Sequence, residues 1–487
     1  MTTYFAAHSA GAARRIRIFP DRFSNRQTLV AANPLDQRLR DSSEQFEADL
    51  FEWLRIPSIS SDPVHREDVR AAGNWIAQKL SAGGLEVETI ETDGHPIIFA
   101  QTPAIPGAPV ALVYGHYDVQ PVEPLDQWKS GPFAPEIRDG NIYARGATDD
   151  KGQLLTHVES VLTWLASGEP LPLQVKFLIE GEEEVGSANL ERLLPERAEQ
   201  FAADVIVISD SSQYAEGQPA ITYGLRGIVT FELRIDGPRQ DLHSGSFGGA
   251  VTNPAIALSR LLASVVDDHG VIQIPGFYDD CQPLSECERE QLAELPQSDE
   301  LFAEQIGVPA LGGEAHYTAL ERRWARPTYD VNGLTSGHQG EGSKTIIPAQ
   351  ASAKISFRLV PDQDPKKIAA AFEAFLKSKL PPSVHMKLTS DHGAPGMLSR
   401  LDSPYITAAQ QAIEHAFGTA PVMIREGGSI PIVTRFQEVL KADCLLLGWG
   451  LNDDNAHSPN EKFRREDFHR GIAASACLWC ELGKIPK

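Results

Sequence analysis

The first half of this chain alternates short, largely apolar segments with amphipathic helical patterns. Val110–Tyr114, Leu173–Ile179 and Val205–Ile208 are apolar runs of strand length, and residues 154–165 place leucines and valines on one face of a helix. A strand that is apolar at nearly every position is buried on both faces, because helices cover both sides of its sheet. The pattern predicts an α/β fold in which a mixed, largely parallel sheet is sandwiched by helices.

From about residue 226 the pattern changes to strict alternation of apolar and polar residues. Val229–Ile235 and Ala353–Leu359 alternate in this way, as expected for strands with one covered face, and Val384–Leu388 supplies a further strand. Asparagine–proline and aspartate–proline pairs near residues 253 and 364 are typical helix starts. The β-α-β-α-β order predicts a second, α+β domain of the ferredoxin-like type, inserted into the first.

These changes in pattern predict a division of the chain into an N-terminal extension, an interrupted main domain and an inserted domain. The segments are 1–40 for the extension, 41–225 and 392–487 for the two parts of the main domain, and 226–391 for the insertion. Ordered structure is expected to begin near Asp41, with a helix that Ser42 and Gln45 open as a capping box. After residue 392 the buried pattern returns, with a helix start at Ser403 and a strand at Cys444–Leu447.

The first 40 residues differ in charge from the rest of the chain. They contain seven arginines and two aspartates but no lysine or glutamate, a net charge of 7 − 2 = +5. An arginine-rich, acid-poor start is typical of transit peptides, although a disordered extension or an upstream start codon gives the same composition. We favour the extension, and we expect a cytoplasmic protein.

Charge and composition exclude several classes of function. Acidic residues exceed basic ones by 66 to 44, a net charge of −22, and so negative a surface repels nucleic acid. No apolar run approaches the roughly 18 residues of a membrane-spanning helix, so no membrane partner is expected. The five cysteines are odd in number and scattered, which indicates a reducing compartment. Cys477 and Cys480 match half of a redox or zinc motif, but the apolar helical pattern around them predicts core positions.

Residues with metal-binding or acid–base capacity cluster in five segments, most of them directly after a predicted strand. The segments carry His116 with Asp118, Asp149 with Asp150, the acidic run Glu180–Glu184, Asp210, and His457. Open α/β sheets place binding sites at the carboxyl ends of their strands, so these segments are expected to meet at one sheet edge. Alternation along the chain would point His116 and Asp118 the same way, with Asp118 orienting the imidazole.

The combined ligand set predicts the chemistry of this sheet edge. Two histidines and several carboxylates without thiolates suit zinc, manganese or cobalt in a solvent-open catalytic site. A bridging aspartate with further ligands for each of two ions is the arrangement of a two-metal hydrolase. Taken singly, Asp149 and Asp150 could instead cap a helix, and the acidic run could be a solvated loop. The residues alone leave open which of Glu182, Glu183 and Glu184 has which role.

Seven motifs carry a resemblance to a known family from about residue 41 onward. They are Gly115-His-Tyr-Asp-Val-Gln-Pro121, Arg145-Gly-Ala-Thr-Asp-Asp-Lys-Gly152, Glu180-Gly-Glu-Glu-Glu-Val-Gly-Ser187, Ile221-Thr-Tyr-Gly-Leu-Arg-Gly227, Asp241-Leu-His-Ser-Gly245, Arg425-Glu-Gly-Gly-Ser-Ile-Pro431 and Ala456-His-Ser458. In these the chain resembles the co-catalytic zinc metallopeptidases, which include carnosine-type dipeptidases, aminoacylases, succinyl-diaminopimelate desuccinylase and glutamate carboxypeptidase. It is most similar to the carnosine dipeptidase branch.

The resemblance implies a dinuclear metal site, position by position. Asp149 would bridge two divalent ions per subunit, zinc in the first place and manganese or cobalt as alternatives. His116 and Asp210 would complete the ligands of one ion, and Glu184 and His457 those of the other.

The resemblance also implies catalytic residues and a subunit arrangement. Glu183 would be the general base that takes a proton from the metal-bridging water and passes it to the leaving amine, with Asp118 supporting the site. His243, in the inserted domain, would stabilise the oxyanion in the partner subunit, although a histidine that caps a turn is the alternative. The insertion would then be a lid and the dimerisation surface of a homodimer.

Four further positions are implied to bind substrate. Arg358 would grip the substrate's carboxylate, and Thr345, Gly427 and Ser429 would hydrogen-bond around the scissile amide. The implied reaction is hydrolysis of dipeptides or short peptides with a free C-terminal carboxylate. An N-acyl amino acid amidohydrolase is the alternative enzyme. A non-catalytic binding protein would be expected to lack a ligand or the base, whereas every position is filled here.

Overall fold

Two large β-sheets organise the computed structural model of this chain, which describes residues 34–486. The α-helices of this part of the chain are α1 Pro34–Asp41, α2 Ser43–Leu54, α3 Arg66–Ala82, α4 Lys151–Ser167, α5 Ala188–Glu196, α6 Ala198–Phe201, α7 Ser244–Phe247, α8 Pro254–Ala263, α9 Glu286–Glu294, α10 Asp299–Ile306, α11 Ala319–Ala325, α12 Pro365–Lys379, α13 Pro404–Phe417, α14 Pro431–Leu440 and α15 Arg465–Gly483.

The strands are β1 Glu86–Ile90, β2 Ile97–Gln101, β3 Val110–His116, β4 Glu136–Arg138, β5 Asn141–Tyr143, β6 Gln174–Glu180, β7 Val205–Ile208, β8 Ala220–Leu225, β9 Gly227–Asp236, β10 Leu242–His243, β11 Thr328–Ser336, β12 Ile346–Ile347, β13 Gln350–Leu359, β14 His385–Ala394, β15 Met397–Leu398, β16 Val422–Glu426, β17 Asp443–Gly448 and β18 Lys462–Arg464.

The larger sheet has nine strands in the order β1-β2-β6-β3-β7-β17-β8-β15, with β16 paired to β8. Its centre is parallel, because β3 pairs in parallel with both β6 and β7, and β17 pairs in parallel with β7. Antiparallel strands flank this centre on both sides. The predicted mixed, largely parallel sheet is therefore confirmed.

Helices cover both faces of this sheet, as the continuously apolar strands predicted. Ala111 and Val113 of β3 face a core shared with α1 to α4, α13 and α15. Leu112 and Tyr114, the alternating residues of the same strand, face a second core shared with α5, α6 and α14. Burial on both faces explains why the strand carries no polar residue before its last positions.

The second large sheet is four-stranded, antiparallel and ordered β11-β13-β9-β14. Helices α8 and α12 pack against it, and alternate residues of β9 and β13, such as Phe231 and Phe357, form its core. With its two helices this is a ferredoxin-like arrangement, as predicted. The chain enters this sheet between β8 and β9 and leaves it between β14 and β15, and the division at residues 226 and 391 stays a prediction.

Strand β11 was not predicted from the sequence. It is the edge strand of the inserted sheet, most of its residues are exposed or half-exposed, and its register shifts between Val331 and Gly333. An edge strand lacks the alternating burial that marks β9 and β13, so its sequence shows no strand pattern.

The start of the ordered chain differs from the prediction. Helix α1 begins at Pro34, before Asp41, and its Leu35 and Leu39 are buried in the main core. The rest of the predicted extension lies outside the described residues. The predicted capping box is wrong, because the Ser42 side chain makes no capping hydrogen bond, while Gln45 bonds to Asp49 instead. The Ser42 amide donates to Arg38 O, so the chain is still in a helical turn there.

The predicted helix starts near residues 253, 364 and 403 are confirmed. Asn253, Asp364 and Ser403 each accept a hydrogen bond from the backbone two residues on, and proline is the first residue of each helix. These caps satisfy amide groups that otherwise have no partner at a helix start.

Candidate metal centre

The predicted metal ligands lie at the carboxyl ends of four neighbouring parallel strands. His116 is the last residue of β3, and Asp210 stands two residues after β7. Glu184 lies in a single 3-10 turn that follows β6, and His457 lies in the loop after β17. Asp149 precedes α4, the helix that runs back over the sheet. The order β6-β3-β7-β17 brings side chains hundreds of residues apart to one edge.

These five side chains form two groups that share Asp149. Donor atoms of His116, Asp149 and Asp210 lie within 4.8 Å of one another, as do those of Asp149, Glu184 and His457. Asp149 Oδ1 is 3.2 Å from His116 Nε2, and its Oδ2 is 2.8 Å from His457 Nε2. Each oxygen of the shared carboxylate therefore faces a different group.

The donor set fits two divalent cations. His116 Nε2 is buried and makes no hydrogen bond of acceptable geometry, although Asp149 Oδ1 is 3.2 Å away. Its lone pair is therefore available to a cation placed between the imidazole and the carboxylate. Imidazole and carboxylate donors without a thiolate suit zinc, manganese or cobalt. His457 is 56% exposed at its side chain, which leaves one side of the pair of groups open to solvent.

The carboxylates of the two groups repel one another. Burial and the charge of Asp149 raise the pKa of Glu184 to about 9 and that of Asp210 to about 6. Burial and the carboxylates of Asp210, Glu184 and Asp149 also raise the pKa of Glu183 well above its ordinary value. Burial acts in the same direction on Asp149, but the imidazoles of His116 and His457, at 3.2 and 2.8 Å from its oxygens, outweigh it and lower the pKa of Asp149. A bound cation would relieve this repulsion.

Asp118 orients two parts of the site, as the sequence predicted for one of them. Its backbone carbonyl accepts a hydrogen bond from His116 Nδ1 at 3.1 Å, and its Oδ1 is 3.4 Å from the same nitrogen, on the side of the ring away from Asp149. Its two carboxylate oxygens also accept the backbone amides of Glu183 and Glu184 at 3.3 and 3.2 Å. One buried aspartate thus fixes both the imidazole and the turn that carries the two glutamates.

The glutamates of the acidic run Glu180–Glu184 differ in their hydrogen-bond partners. Tyr114 donates to Glu180 at 2.8 Å, Asn189 donates to Glu182 at 2.6 Å, and Gln120 donates to Glu184 at 2.7 Å. Within residues 34–486 the Glu183 carboxylate takes part in no hydrogen bond, and it belongs to neither donor group. Glu183 is therefore the glutamate left free beside the two groups.

Glu461 is the main site residue that sequence analysis missed. It is fully buried, and its carboxylate accepts the Arg145 guanidinium at 2.7 Å and the backbone amides of Gly146, Thr148 and Asp149 at 3.0 to 3.2 Å. These bonds hold the loop that presents Asp149. Glu461 lies only four residues after His457, and this closeness was the available signal.

Three of the predicted substrate-binding residues meet at the boundary of the two sheets. Arg358, on β13 of the inserted sheet, donates from Nη1 to Ser429 Oγ at 2.9 Å. The carbonyl of Gly427, in the same loop as Ser429, accepts a bond from Arg226 Nε at 3.1 Å. Arg226 was not singled out from the sequence.

His243 and Thr345 lie together elsewhere in the insertion: His243 belongs to the two-stranded sheet of β10 and β12, and Thr345 directly precedes β12. His243 pairs with Ile346, and the carbonyl of Thr345 accepts bonds from Ser244. The His243 ring is exposed and accepts the Gly245 amide at Nδ1, so within this chain it caps a turn. The contacts of His243 among the described residues do not include the two donor groups.

The contacts of Asp150, Cys477 and Cys480 indicate structural roles. The Asp150 side chain makes no capping bond; its Oδ2 accepts the His116 amide at 3.2 Å. Cys477 and Cys480 pack against the main core, where burial raises the pKa of the Cys477 thiol to about 12. No helix in the described part of the chain is long and apolar enough to cross a membrane.

Comparison with known proteins gives consistent results. Residues 112–481 match the family described as peptidase family M20/M25/M40. Over 91% of its length the chain is 34% identical to mouse Beta-Ala-His dipeptidase, covering 93% of that protein. It is also 34% identical to the Cys-Gly metallodipeptidase DUG1 of Saccharomyces cerevisiae, covering 93% of this chain and 98% of that one. The crystal structure of human carnosine dipeptidase 1 superposes with a TM-score of 0.80 at 32% identity, over 93% of this chain and 98% of that chain.

Binding of divalent cations to the metal-free protein should release protons. Glu184 has a pKa of about 9 without a cation, so at pH 7 it holds a proton that it must lose to act as a ligand. The affinity for Mn²⁺ should therefore rise as the pH rises from 6 through about 9, and level off above that pH, where Glu184 is ionised in both states. Calorimetric titrations in buffers of different ionisation enthalpy measure the protons released.

The matched variant for this experiment is Glu184→Gln, which has no proton to release at this position. It should release fewer protons than the parent and bind Mn²⁺ more weakly. Binding that is independent of buffer, or that weakens as the pH rises, would contradict the assignment.

Proposed function

Because this chain belongs to the peptidase family M20/M25/M40, we propose that it is a metal-dependent dipeptidase that cleaves dipeptides or short peptides with a free C-terminal carboxylate. The observation that carries the proposal is the pair of donor groups that share Asp149, with the free Glu183 beside them. The dipeptidase names of the relatives support the class of substrate.

In the proposed mechanism, the metal ions and the residues of this chain have separate tasks. When bound, two divalent cations supply positive charge that polarises the scissile carbonyl and acidifies the attacking water. Glu183 takes the proton from this water and delivers it to the leaving amine nitrogen, because its carboxylate is the one that no other group holds. Asp118 and Glu461 keep the ligands and the base in place through the bonds described above.

The proposed carboxylate site is formed by Arg358 and Ser429. A guanidinium can hold a carboxylate through two parallel hydrogen bonds, and Arg358 uses only one donor in its bond to Ser429. Binding of the terminal carboxylate at this site would select peptides with a free C-terminus. Gly427 and Thr345 are proposed to bond the substrate backbone.

We further propose a homodimer formed through the inserted domain. His243 is exposed, and its contacts among the described residues do not include the two donor groups, which supports a role in the partner's site, where it would stabilise the oxyanion. The exposed edge strand β11, with Val331 and Leu334 on its surface, offers a surface for a second copy.

Metal identity and cellular location are also proposals. Zinc is the first choice for imidazole and carboxylate donors, and manganese or cobalt are the alternatives. The five unpaired cysteines support a reducing compartment, the cytoplasm. The net charge of −22 supports the absence of a nucleic-acid partner.

Replacement of the base separates catalysis from metal binding. In Glu183→Gln, kcat should fall by about 10²- to 10⁴-fold, the usual contribution of a general base, while the metal content stays near that of the parent. Steady-state kinetics and elemental analysis measure the two effects. Glu182→Gln is the matched control, because Glu182 bonds to Asn189 outside the donor groups, and its turnover should stay close to that of the parent. Undiminished turnover of Glu183→Gln would remove this residue as the base.

A substrate panel distinguishes the proposed dipeptidase from an N-acyl amino acid amidohydrolase of the aminoacylase or desuccinylase type. With Zn²⁺, Mn²⁺ or Co²⁺ added, unmodified dipeptides should be hydrolysed with a higher kcat/KM than N-acetyl or N-succinyl amino acids. Preference for the acylated amino acids would favour the alternative enzyme, which uses the same metal ligands.

Mixed dimers test the shared active site. Homodimers of His243→Ala and of Glu183→Gln should both be nearly inactive, because each lacks a group that both of its sites need. Co-assembled heterodimers should regain activity at the one site that combines an intact Glu183 with the partner's intact His243. Activity is measured on heterodimers verified by two affinity tags, and no recovery would argue against a site built across subunits.

A further inference from the structure

Arg226 is the single residue between β8 and β9, where the chain passes from the nine-stranded sheet into the inserted sheet. The segment through which the chain returns to the nine-stranded sheet, residues 394–396, packs against this connection, backbone against backbone. A Cβ atom on Gly227 would lie 2.6 Å from the carbonyl oxygen of Ala394, and one on Gly396 would lie 2.9 Å from the carbonyl oxygen of Leu225. Backbone atoms cannot give way as side chains do, so the position of Arg226 relative to both sheets is closely fixed.

From this crossing, Arg226 holds both ends of the loop Gly427–Ser429. Its Nε donates to the carbonyl of Gly427 at 3.1 Å, and its own carbonyl accepts a bond from Ser429 Oγ. Its Nη1 reaches Arg326 O and Thr328 Oγ1, both at 3.4 Å. A Cβ on Gly427 would lie 2.9 Å from Arg226 Nη2, so only glycine allows the guanidinium this approach.

The bond from Ser429 to Arg226 also orients the serine toward Arg358. A hydroxyl has one proton, and Ser429 gives it to the Arg226 carbonyl, so a lone pair of Oγ accepts Arg358 Nη1 at 2.9 Å. The backbone carbonyl of Arg226 therefore sets the direction of the Ser429 hydroxyl, while its guanidinium holds the Gly427 end of the same loop.

The arrangement has an electrostatic cost that a bound anion would offset. Burial and the neighbouring charges of Arg358 and Arg323 lower the pKa of Arg226 to about 10. Asp330 partly balances these charges, but among residues 34–486 no carboxylate lies within the 4.0 Å of an ion pair from Arg226 or Arg358. A bound carboxylate would stabilise these neighbouring guanidinium groups, which have no ion-pair partner among the described residues.

We propose that Arg226 is a positioning residue for the substrate's C-terminal carboxylate: it holds Gly427 and Ser429 against Arg358 and thereby sets the affinity of that site. Arg226 itself does not touch the substrate. The inference rests on the proposed function, in which Arg358 and Ser429 receive the carboxylate, and it extends the set of residues that select such substrates to the junction of the two sheets.

The test is Arg226→Met, which keeps the length of the side chain and removes its donors. The variant frees the Gly427 end of the loop and leaves the bond from Ser429 to the backbone carbonyl in place. KM for a dipeptide should rise about tenfold, equivalent to about 1.4 kcal/mol, while kcat stays within about twofold, because the metal ligands and Glu183 are untouched. Selectivity for the dipeptide over its C-terminal amide should fall by a similar factor. Steady-state kinetics measure both, with competitive inhibition constants used for an amide that is not hydrolysed.

Arg234→Met is the matched control. Arg234 lies on the same strand, β9, and is exposed in an ion pair with Asp236, so this variant removes the same charge without touching the loop. Its KM should equal that of the parent. Arg226→Lys keeps the charge but has a single donor atom, and its KM should fall between those of the parent and Arg226→Met. If Arg226→Met does not fold, the lysine variant is measured in its place.

The outcomes separate positioning from a merely structural role. An unchanged KM and an unchanged preference for the carboxylate in the folded variant would overturn the proposal, as would an equal loss of kcat/KM on the dipeptide and its amide. If the parent hydrolyses neither dipeptides nor N-acyl amino acids, the proposed function fails, and dipeptide binding is titrated calorimetrically instead. About tenfold weaker binding to Arg226→Met then supports the role of Arg226, whereas equal binding or none to either protein overturns it.

Discussion

Several carboxylates lie close together at one edge of the nine-stranded sheet and repel one another, and the surrounding structure must offset this repulsion. Asp149, Glu183, Glu184 and Asp210 lie close enough to raise one another's pKa values, with the exception of Asp149, which two histidines stabilise as an anion. A protein tolerates such a cluster only if bound cations or protons neutralise it. The cluster is thus costly for the empty protein and well suited to two divalent ions.

Two buried carboxylates accept backbone amides of the segments that carry Asp149, Glu183 and Glu184, and so fix these segments. Glu461 holds the loop of Asp149, and Asp118 holds the turn of Glu183 and Glu184. Both of these supporting acids are fully buried. The segments that carry Asp149 and Glu184 are thus held in place, whereas the carboxylate of Glu183, the proposed base, has no hydrogen-bond partner among residues 34–486. At the other end of the site, the proposed carboxylate-binding residues depend on the junction of the two sheets, where Arg226 contacts the loop of Ser429.

Sequence analysis correctly predicted the features that short, continuous segments of the chain encode. The two-face burial of β3 and the alternation of β9 and β13 were visible as hydrophobic patterns, and the helix caps at Asn253 and Asp364 are local. It failed where a neighbouring element overrides the local pattern. Helix α1 runs into Ser42 and removes the need for a capping box, and the edge strand β11 has too little burial to show a period.

The sequence by itself determined the central strands, the alternating strands of the inserted domain and the residue types of a two-metal site, because hydrophobic period and ligand chemistry are properties of short segments. The residues alone left open that Asp149 is shared and that Glu183 is the free glutamate; the family resemblance implied both, and the tertiary structure shows the arrangement. The tertiary structure alone revealed that Glu461 and Arg226 support the two ends of the site. These facts depend on the order β6-β3-β7-β17 and on one crossing between sheets, which join residues far apart in the chain. Such contacts are set by packing, and no local pattern encodes them.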